Sequence, residues 1–402
     1  MKYVIFLCDG MADNAVEELG NKTPMEAADK PYMDSYSKKS VLGLCKTVPD
    51  NLKPGSDVAN MSVMGYNPDL YYTGRSPLEA ASIGVDLKDN ETSCRANLVT
   101  LSGEGDFEDL YMEDYSAGEI KTQDAKEIIE AFQPVINDDS TAIYSGVSYR
   151  HLLVLKDKAS CGTLTPPHDI SKKPIKEYLP TDEKIRALMK KSYEFLKNHP
   201  INERRIKEGK KPVSCIWVWG EGKRPRMKSF KELFNKDGAV ISAVDLIKGI
   251  GILTGMESID VPNVTGNIDT NFEGKAQAAI DALKNGKDFV YIHMEAPDEC
   301  GHRFEAENKK LSIEYIDKRV FKPVTEYLQS TGEDFAVMAI PDHYTPVAIG
   351  THARGNVPFF AYLKSCEKDG DVYTEKTAAQ SGLLIEKGHE LIEKFFSLDL
   401  WK

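Results

Sequence analysis

The chain has 402 residues and a formal net charge of −12, with 41% hydrophobic and 28% charged residues. That length allows two or three hydrophobic cores, since a single core rarely grows beyond about 250–300 residues. The acidic balance argues against a nucleic-acid partner, whose phosphates need a basic surface. No stretch approaches the roughly 20 apolar residues of a membrane span, so no membrane partner is expected. Seven scattered cysteines without a C-x-x-C pair indicate reduced thiols and a cytoplasmic location.

Three continuous apolar runs predict strands that are buried on both faces. They cover Tyr3–Cys8, Phe289–His293 and Phe335–Ile340. Helical patterns over 273–283 and 309–328 precede the second and third runs. Because helices alternate with buried strands, the sequence predicts an α/β fold with a mostly parallel sheet between layers of helices.

The middle of the chain has a different character. From about Asp86 to Phe234, short strands mix with helices and basic segments, and the earlier alternation resumes near Ala239. The sequence therefore predicts a smaller α/β domain at 86–234, inserted into a domain made of 1–85 and 235–402. Within the insert the clearest predicted elements are strands at Ala96–Leu101, His151–Leu155 and Cys215–Trp219 and helices at Asp124–Phe132 and Lys184–Lys197.

Residues of metal-binding type follow the ends of the three apolar runs. Asp9, Asp298 and Asp342 each come just after a predicted strand, and ligands of α/β sheets bind beyond the carboxyl ends of the strands. A pair such as Asp298 and His302, four residues apart, is by itself more often a solvated ion pair. With His343 and His352 nearby, however, the set contains enough carboxylate and imidazole ligands for two divalent cations. It lacks the thiolates of a structural zinc site and suits Zn²⁺ or Mn²⁺.

A serine could act as a nucleophile beside such a metal centre. Ser56 and Ser62 lie in one block, Lys53–Tyr66, and neither belongs to a G-x-S-x-G elbow. A hydroxyl nucleophile needs a base or a metal to lower its pKa, so metal activation is the route that this sequence offers. Residue types do not decide between the two serines, and helix capping is the ordinary role of either.

Taken together, these motifs resemble the archaeal-type, cofactor-independent phosphoglycerate mutases of the alkaline phosphatase superfamily. The resemblance runs through nearly the whole chain in order. It rests on D-G-M-A-D (Asp9–Asp13), the block Lys53–Tyr66, G-R-S-P-L-E-A (Gly74–Ala80), Tyr149–His151, Pro166–Ile170, Trp219–Pro225, A-P-D-E-C-G-H (Ala296–His302), Pro341–His343 and Thr351–His352.

The resemblance implies an alkaline-phosphatase-like sheet and a phosphoserine at Ser62. It implies one metal site made of Asp9, Ser62, Asp342 and His343, and another made of Asp298, His302 and His352. Mn²⁺ or Zn²⁺ would suit both sites, Mg²⁺ and Co²⁺ could also use them, and no 2,3-bisphosphoglycerate would be required. Substrate binding is expected from Arg150, His151, Asp169 and Lys248, with Arg75, Arg95 and Arg224 as further candidates.

The function that follows from the resemblance is the interconversion of 3-phosphoglycerate and 2-phosphoglycerate. A phosphatase, or a phosphotransferase such as the homoserine kinase proposed for some relatives, would use the same metals and nucleophile on another substrate. A binding protein with an inert site is the alternative of a different class. The complete ligand set argues against that alternative.

Overall fold

The structure is a computed structural model that describes all 402 residues, and these divide into two compact units. The larger unit comprises Met1–Tyr72 and Arg226–Lys402, and the inserted unit comprises Thr73–Pro225. The predicted insert, 86–234, differs from this division at both ends. The helix Ser76–Ser82 belongs to the inserted unit, because the Ser76 hydroxyl donates to the carbonyl oxygen of Ser93 at 2.9 Å. Phe230 instead stacks on Phe289 of the larger unit at 5.0 Å.

The structure contains thirteen strands and sixteen α-helices, and none of the helices is both long and apolar enough to cross a membrane. The strands are β1 Lys2–Cys8, β2 Val41–Cys45, β3 Glu91–Ser102, β4 Tyr111–Asp114, β5 Thr141–Tyr144, β6 Arg150–Lys156, β7 Cys215–Lys223, β8 Gly238–Ile241, β9 Glu257–Ile259, β10 Phe289–Met294, β11 Phe335–Ile340, β12 Val357–Leu363 and β13 Leu384–Ile385. The helices are α1 Pro24–Ala27, α2 Pro31–Ser37, α3 Ser56–Val63, α4 Pro68–Tyr71, α5 Ser76–Ser82, α6 Thr122–Ile136, α7 Glu183–Leu196, α8 Pro200–Lys207, α9 Phe230–Phe234, α10 Asp245–Leu253, α11 Phe272–Lys284, α12 Ala296–His302, α13 Ala306–Ile316, α14 Lys322–Ser330, α15 Glu375–Gln380 and α16 Leu391–Phe396.

The larger unit is built on one eight-stranded sheet with the order β13-β2-β12-β11-β1-β10-β8-β9. The central strands β11, β1, β10 and β8 are parallel, whereas β12 runs antiparallel to both of its neighbours. Every residue of β10 and β11 is buried, as expected for strands covered by helices on both faces. The three apolar runs thus form the three adjacent strands β10-β1-β11, and the predicted α/β class is confirmed.

The helix predicted over 309–328 is interrupted. It consists of α13 and α14, joined by a π-helical stretch at Asp317–Phe321. Pro323, the second residue of α14, cannot donate an intrahelical hydrogen bond, and its ring disfavours the normal register of the preceding turn. The Asp317 carboxylate in this stretch accepts hydrogen bonds from the backbone N–H groups of Met33 (2.6 Å) and Tyr32 (3.2 Å) at the start of α2.

The inserted unit has its own five-stranded antiparallel sheet and its own hydrophobic core. The long strand β3 lies at its centre and pairs with β4, β6 and β7, while β5 extends the sheet beyond β6. Side chains of α6 and α7, among them Ile129 and Met189, pack in the same core cluster as residues of β3 and β7.

Candidate active site

The carboxyl ends of three neighbouring strands bring the three predicted carboxylates together. Cys8, the last residue of β1, pairs with Met294 at the end of β10, and the neighbouring residue Leu7 pairs with Ile340 at the end of β11. Asp9 and Asp342 therefore follow adjacent strands, and Asp298 lies in the first turn of α12, shortly after β10. All three carboxylates are buried.

Asp9, Asp342 and His343 form the first group of ligands. Their coordinating atoms lie within 4.8 Å of one another. His343 Nε2 is 3.2 Å from Asp342 Oδ2 and 3.6 Å from Asp9 Oδ1. Gly10 adopts a left-handed φ of +60°, and a Cβ atom there would lie 2.5 Å from Asp298 Oδ1. A side chain at this position would therefore collide with the ligand set.

Asp298, His302 and His352 form the second group. His302 Nε2 lies 3.1 Å from Asp298 Oδ2 and 3.0 Å from His352 Nε2, and His352 Nε2 lies 3.5 Å from Asp298 Oδ1. His343 also belongs here, because its ring centroid is 4.0 Å from that of His352 and its coordinating atom lies within 4.8 Å of those of Asp298 and His352. The two predicted metal sites are thus one continuous cluster with His343 in the middle.

Hydrogen bonds at Nδ1 orient two of the histidine rings in this cluster. Thr345 donates its hydroxyl proton to Asp298 Oδ1, so its oxygen accepts from His343 Nδ1 at 3.2 Å. His302 Nδ1 donates to the carbonyl oxygen of Gly350 at 3.0 Å. Nε2 of both rings then faces the other ligands, which is how metal-binding histidines are usually oriented. His302 Nε2 donates to Asp298 Oδ2 at 3.1 Å, and this hydrogen bond raises the pKa of His302 to about 9.

The charge balance of the cluster favours divalent cations. Burial and the nearby carboxylates of Asp342 and Asp298 raise the pKa of Asp9 well above its ordinary value, and its Oδ1 atom has no hydrogen-bond donor. Asp298 shows the opposite shift: although burial raises its pKa, hydrogen bonds from His302 and His352 lower it well below the ordinary value. Buried carboxylates that crowd together without enough cationic partners fit bound metal ions, and carboxylate and imidazole ligands suit divalent ones.

The structure places Ser56, not Ser62, beside the ligands. Ser56 is the first residue of α3, is half-buried, and has its Oγ atom 3.2 Å from His343 Nε2. Ser62 lies six residues further along the same helix, about 9 Å along its axis at about 1.5 Å per residue. Ser62 is buried and lines a separate cavity of about 370 Å³ with Lys46 and Asp69. We therefore replace Ser62 by Ser56 as the candidate nucleophile and ligand.

Three arginines of the inserted unit form a basic cluster. The Arg95 guanidinium lies 4.5 Å from the Trp219 ring centroid and its Nε atom is 2.9 Å from Glu79 Oε2. Burial lowers the pKa of Arg95 to about 10; Glu79 opposes this shift, whereas the positive charges of Arg75 and Arg150 add to it. These three arginines are therefore close enough to sense one another's charge, and such a cluster attracts anions.

The other predicted substrate residues have different surroundings. Arg150 and His151 begin β6, where successive side chains point to opposite faces of the sheet. His151 is buried, its Nδ1 atom accepts from the Gly146 N–H at 3.1 Å, and it anchors a loop rather than joining Arg95. Two further residues make surface ion pairs, Arg224 with Asp86 and Lys248 with Asp260. Asp169 lies 3.6 Å from His168 Nε2, a histidine whose pKa is lowered by burial.

Comparison with known proteins identifies the family. The family model described as "2,3-bisphosphoglycerate-independent phosphoglycerate mutase" matches residues 37–202. A protein of that name from Methanosarcina barkeri is 46% identical over 398 residues, which cover 98% of each chain. A probable one from Geobacter sulfurreducens is 47% identical and covers 98% of this chain and 99% of its own. The chain belongs to the 2,3-bisphosphoglycerate-independent phosphoglycerate mutase family.

Two solved structures extend this likeness to the fold. The cofactor-independent phosphoglycerate mutase from Thermoplasma acidophilum aligns over 99% of this chain and 100% of its own, with 25% identity and a TM-score of 0.67. A protein from Pyrococcus horikoshii, also 25% identical, aligns over 100% of this chain and 97% of its own with a TM-score of 0.80. The motif-based resemblance to cofactor-independent phosphoglycerate mutases is confirmed.

The sequence does not indicate several residues that support this site. His293, the last residue of the second predicted strand, has its Nε2 atom 2.9 Å from Asp9 Oδ2. The buried Lys275 donates to the His293 carbonyl oxygen at 2.8 Å. Thr345 connects Asp298 with His343, as described above. The polar His293 lies within the apolar strand β10 and could have been noticed there. Lys275 and Thr345 carry no local signal, because their partners His293 and Asp298 are 18 and 47 positions away in the sequence.

Proposed function

We propose that this chain interconverts 3-phosphoglycerate and 2-phosphoglycerate without added 2,3-bisphosphoglycerate, and that Ser56 carries the phosphoryl group between the two steps. The observation that carries this proposal is the 3.2 Å separation of Ser56 Oγ and His343 Nε2 at the edge of a ligand cluster for two cations. Membership in the mutase family supports the reaction, and the contact with His343 supports Ser56 as the nucleophile. The seven cysteines are free thiols, which fits a reaction in the cytoplasm.

Two groups of side chains would hold the metals. Asp9, Asp342 and His343, with Ser56, would hold one, and Asp298, His302 and His352 would hold the other. Divalent cations there would lower the pKa of the serine hydroxyl and neutralise charge on the phosphoryl oxygens. Mn²⁺ or Zn²⁺ fits this carboxylate and imidazole set best.

The chemistry proceeds as two transfers through Ser56. In the first, Ser56 Oγ attacks phosphorus, the bond between phosphorus and the C3 oxygen breaks, and glycerate keeps that oxygen as a hydroxyl. In the second, the C2 hydroxyl of the same glycerate attacks the phosphoserine and releases Ser56. Burial lowers the pKa of His343, so its ring remains neutral beside the serine. Because Ser56 is the first residue of α3, the N-terminal end of this helix adds positive potential near the phosphate.

The inserted unit is the proposed substrate-binding element. The substrate keeps a carboxylate throughout the reaction, and planar guanidinium groups bind carboxylates through paired hydrogen bonds. Arg75, Arg95 and Arg150 are the candidates, since they lie close enough for the charges of Arg75 and Arg150 to lower the pKa of Arg95. His151, Asp169, Lys248 and Arg224 have weaker support, because each is occupied by a structural contact or a surface ion pair.

The test is an isomerisation assay with matched serine variants. Purified, Mn²⁺-loaded protein is incubated with 3-phosphoglycerate, and 2-phosphoglycerate and free phosphate are followed. We expect the isomer without free phosphate, its loss in Ser56→Ala, and its retention in Ser62→Ala. Free phosphate as the main product would replace the mutase by a phosphatase. Loss of activity in Ser62→Ala with full activity in Ser56→Ala would reverse the nucleophile assignment.

A further inference from the structure

We propose that Asn60 is a positioning residue for this active site and that the Tyr291 hydroxyl sets its orientation. Asn60 would hold the first turn of α3, which carries Ser56, and the Asp342 carboxylate in one arrangement. The kinetic part of this inference rests on the proposed function, whereas the metal-binding part does not. Neither residue is a metal ligand in any set considered above.

The Asn60 side chain connects three elements of the larger unit. Asn60 is completely buried in α3, four residues after Ser56. Its Nδ2 atom donates to the Ser56 carbonyl oxygen at 2.8 Å and to Asp342 Oδ2 at 2.9 Å. Its Oδ1 atom accepts from the Tyr291 hydroxyl at 2.7 Å, and Tyr291 lies on β10. Both amide protons and the amide oxygen are therefore engaged.

Asn60 holds the Asp342 oxygen that faces His343. Asp342 Oδ1 accepts two backbone hydrogen bonds, from the N–H groups of Gly10 (3.0 Å) and His343 (2.8 Å). Asp342 Oδ2, 3.2 Å from His343 Nε2, accepts from Asn60. The Asn60 amide thus fixes the ligand oxygen that the backbone does not hold, and ligating carboxylates depend on such partners for their orientation.

Tyr291 determines which end of the Asn60 amide faces Asp342. A rotated amide would put its oxygen against the carboxylate, and two acceptors would then face each other in a buried site. The Tyr291 hydroxyl prevents this rotation as long as it donates to Oδ1. Tyr291 is fully buried, and its pKa is raised well above the ordinary value by burial and by Asp342 and Asp9, so it keeps its proton.

Loss of such a partner reduces metal affinity or activity by about 10–100-fold in other metal sites. Asn60→Asp keeps the shape of the side chain but replaces the donor that faces Asp342 by an acceptor. We expect Mn²⁺ affinity to fall by at least about 10-fold in this variant. We also expect kcat to fall while KM for 3-phosphoglycerate changes little, because Asn60 holds the nucleophile and ligand and not the substrate.

The experiment measures Mn²⁺ binding by titration calorimetry to full-length protein that has been freed of metal, followed by kcat and KM. Tyr291→Phe is the milder variant, in case Asn60→Asp does not fold, and we expect a smaller loss in the same direction. Tyr66→Phe is the matched control, since Tyr66 is equally buried and donates to the Lys228 carbonyl oxygen at 2.9 Å. It should retain Mn²⁺ affinity and kcat.

Two outcomes would overturn the inference. One is an unchanged Mn²⁺ affinity and kcat in Tyr291→Phe and Asn60→Asp. The other is additive losses when Asn60→Ala and Tyr291→Phe are combined, because Tyr291 acts only through Asn60 and should add little once Asn60 is gone. If the wild type lacks mutase activity but Asn60→Asp still weakens Mn²⁺ binding, the proposed function fails and the positioning role stands.

Discussion

A buried ion pair beneath the metal cluster gives the sharpest stability prediction. Lys309 on α13 and Asp13 are both fully buried, with Lys309 Nζ 2.8 Å from Asp13 Oδ2. The same ammonium donates to the carbonyl oxygen of Thr345 at 2.8 Å, and Asp13 Oδ2 also accepts from the Val347 N–H at 3.1 Å. Lys309 thereby fixes the segment that carries Thr345, the partner of Asp298 and His343.

Lys309→Met removes this cation but keeps a side chain of similar length. It leaves the Asp13 carboxylate buried without its counter-charge, a loss that typically costs about 3–5 kcal/mol. The neighbouring Lys310 is a matched control, because its ammonium lies 3.2 Å from Glu307 in an exposed pair. Exposed pairs contribute about 0–1 kcal/mol, so Lys310→Met should change the free energy of unfolding little.

Urea unfolding followed by tryptophan fluorescence can measure both variants. Trp401 lies in the larger unit and Trp217 and Trp219 lie in the inserted unit. A background with Phe at 217 and 219 therefore isolates the unit that contains Lys309, which matters because two units need not unfold in one step. Equal midpoint shifts in Lys309→Met and Lys310→Met would refute the assignment of a dominant buried ion pair.

Three further predictions concern metal, pH and substrate. Removal of divalent cations with EDTA should abolish the mutase reaction, and Mn²⁺ or Zn²⁺ should restore it; a rate that persists after chelation would contradict the metal assignment. Burial lowers the pKa of His151 to about 3. The contribution of the neutral His151 ring to the free energy of unfolding is therefore fully present above pH 6.5. As the pH falls from 6.5 towards 3, the free energy of unfolding should decrease by on the order of 3–5 kcal/mol. Trp217 and Trp219 fluorescence should show this loss in the wild type, and His151→Asn should flatten it. Arg150→Gln should raise KM for 3-phosphoglycerate by about 10-fold or more, because it removes a charge-assisted hydrogen bond to the substrate. Arg224→Gln is the control and should leave KM unchanged. Equal effects of the two substitutions would show that Arg150 does not bind the substrate.

The local sequence pattern was sufficient to predict the three central strands of the larger unit. The runs that became β1, β10 and β11 are continuous and apolar because both faces of these strands are covered, and the structure covers them with helices. The boundaries of the insert were less accurate. Helix α5 precedes residue 86, where the insert was predicted to begin, and only its packing on β3 and β7 assigns it to the inserted unit.

The choice between Ser56 and Ser62 could not be made from local pattern. Both serines lie on α3, six residues apart. Each residue of a helix rotates the side-chain direction by about 100°, so the two side chains point in different directions and lie at different positions along the helix axis. The distinguishing fact is contact with His343, which is 287 positions away in the sequence from Ser56. The same limit applies to Asn60, whose partners Asp342 and Tyr291 are 282 and 231 positions away.

The metal ligands themselves constrain the order of the strands. Neighbouring strands lie about 4.8 Å apart, so residues that follow adjacent parallel strands can reach one cation, while one intervening strand would separate their starting points by about 10 Å. Asp9 and Asp342 belong to one group of ligands, and they follow the neighbouring parallel strands β1 and β11, whose carboxyl ends are level. The shared metal site of Asp9 and Asp342 could therefore have predicted that β1 and β11 are neighbours, whereas the ligands do not decide on which side of this pair β10 lies. Hydrophobic pattern alone gives the positions of the strands in the sequence and not their neighbours in the sheet.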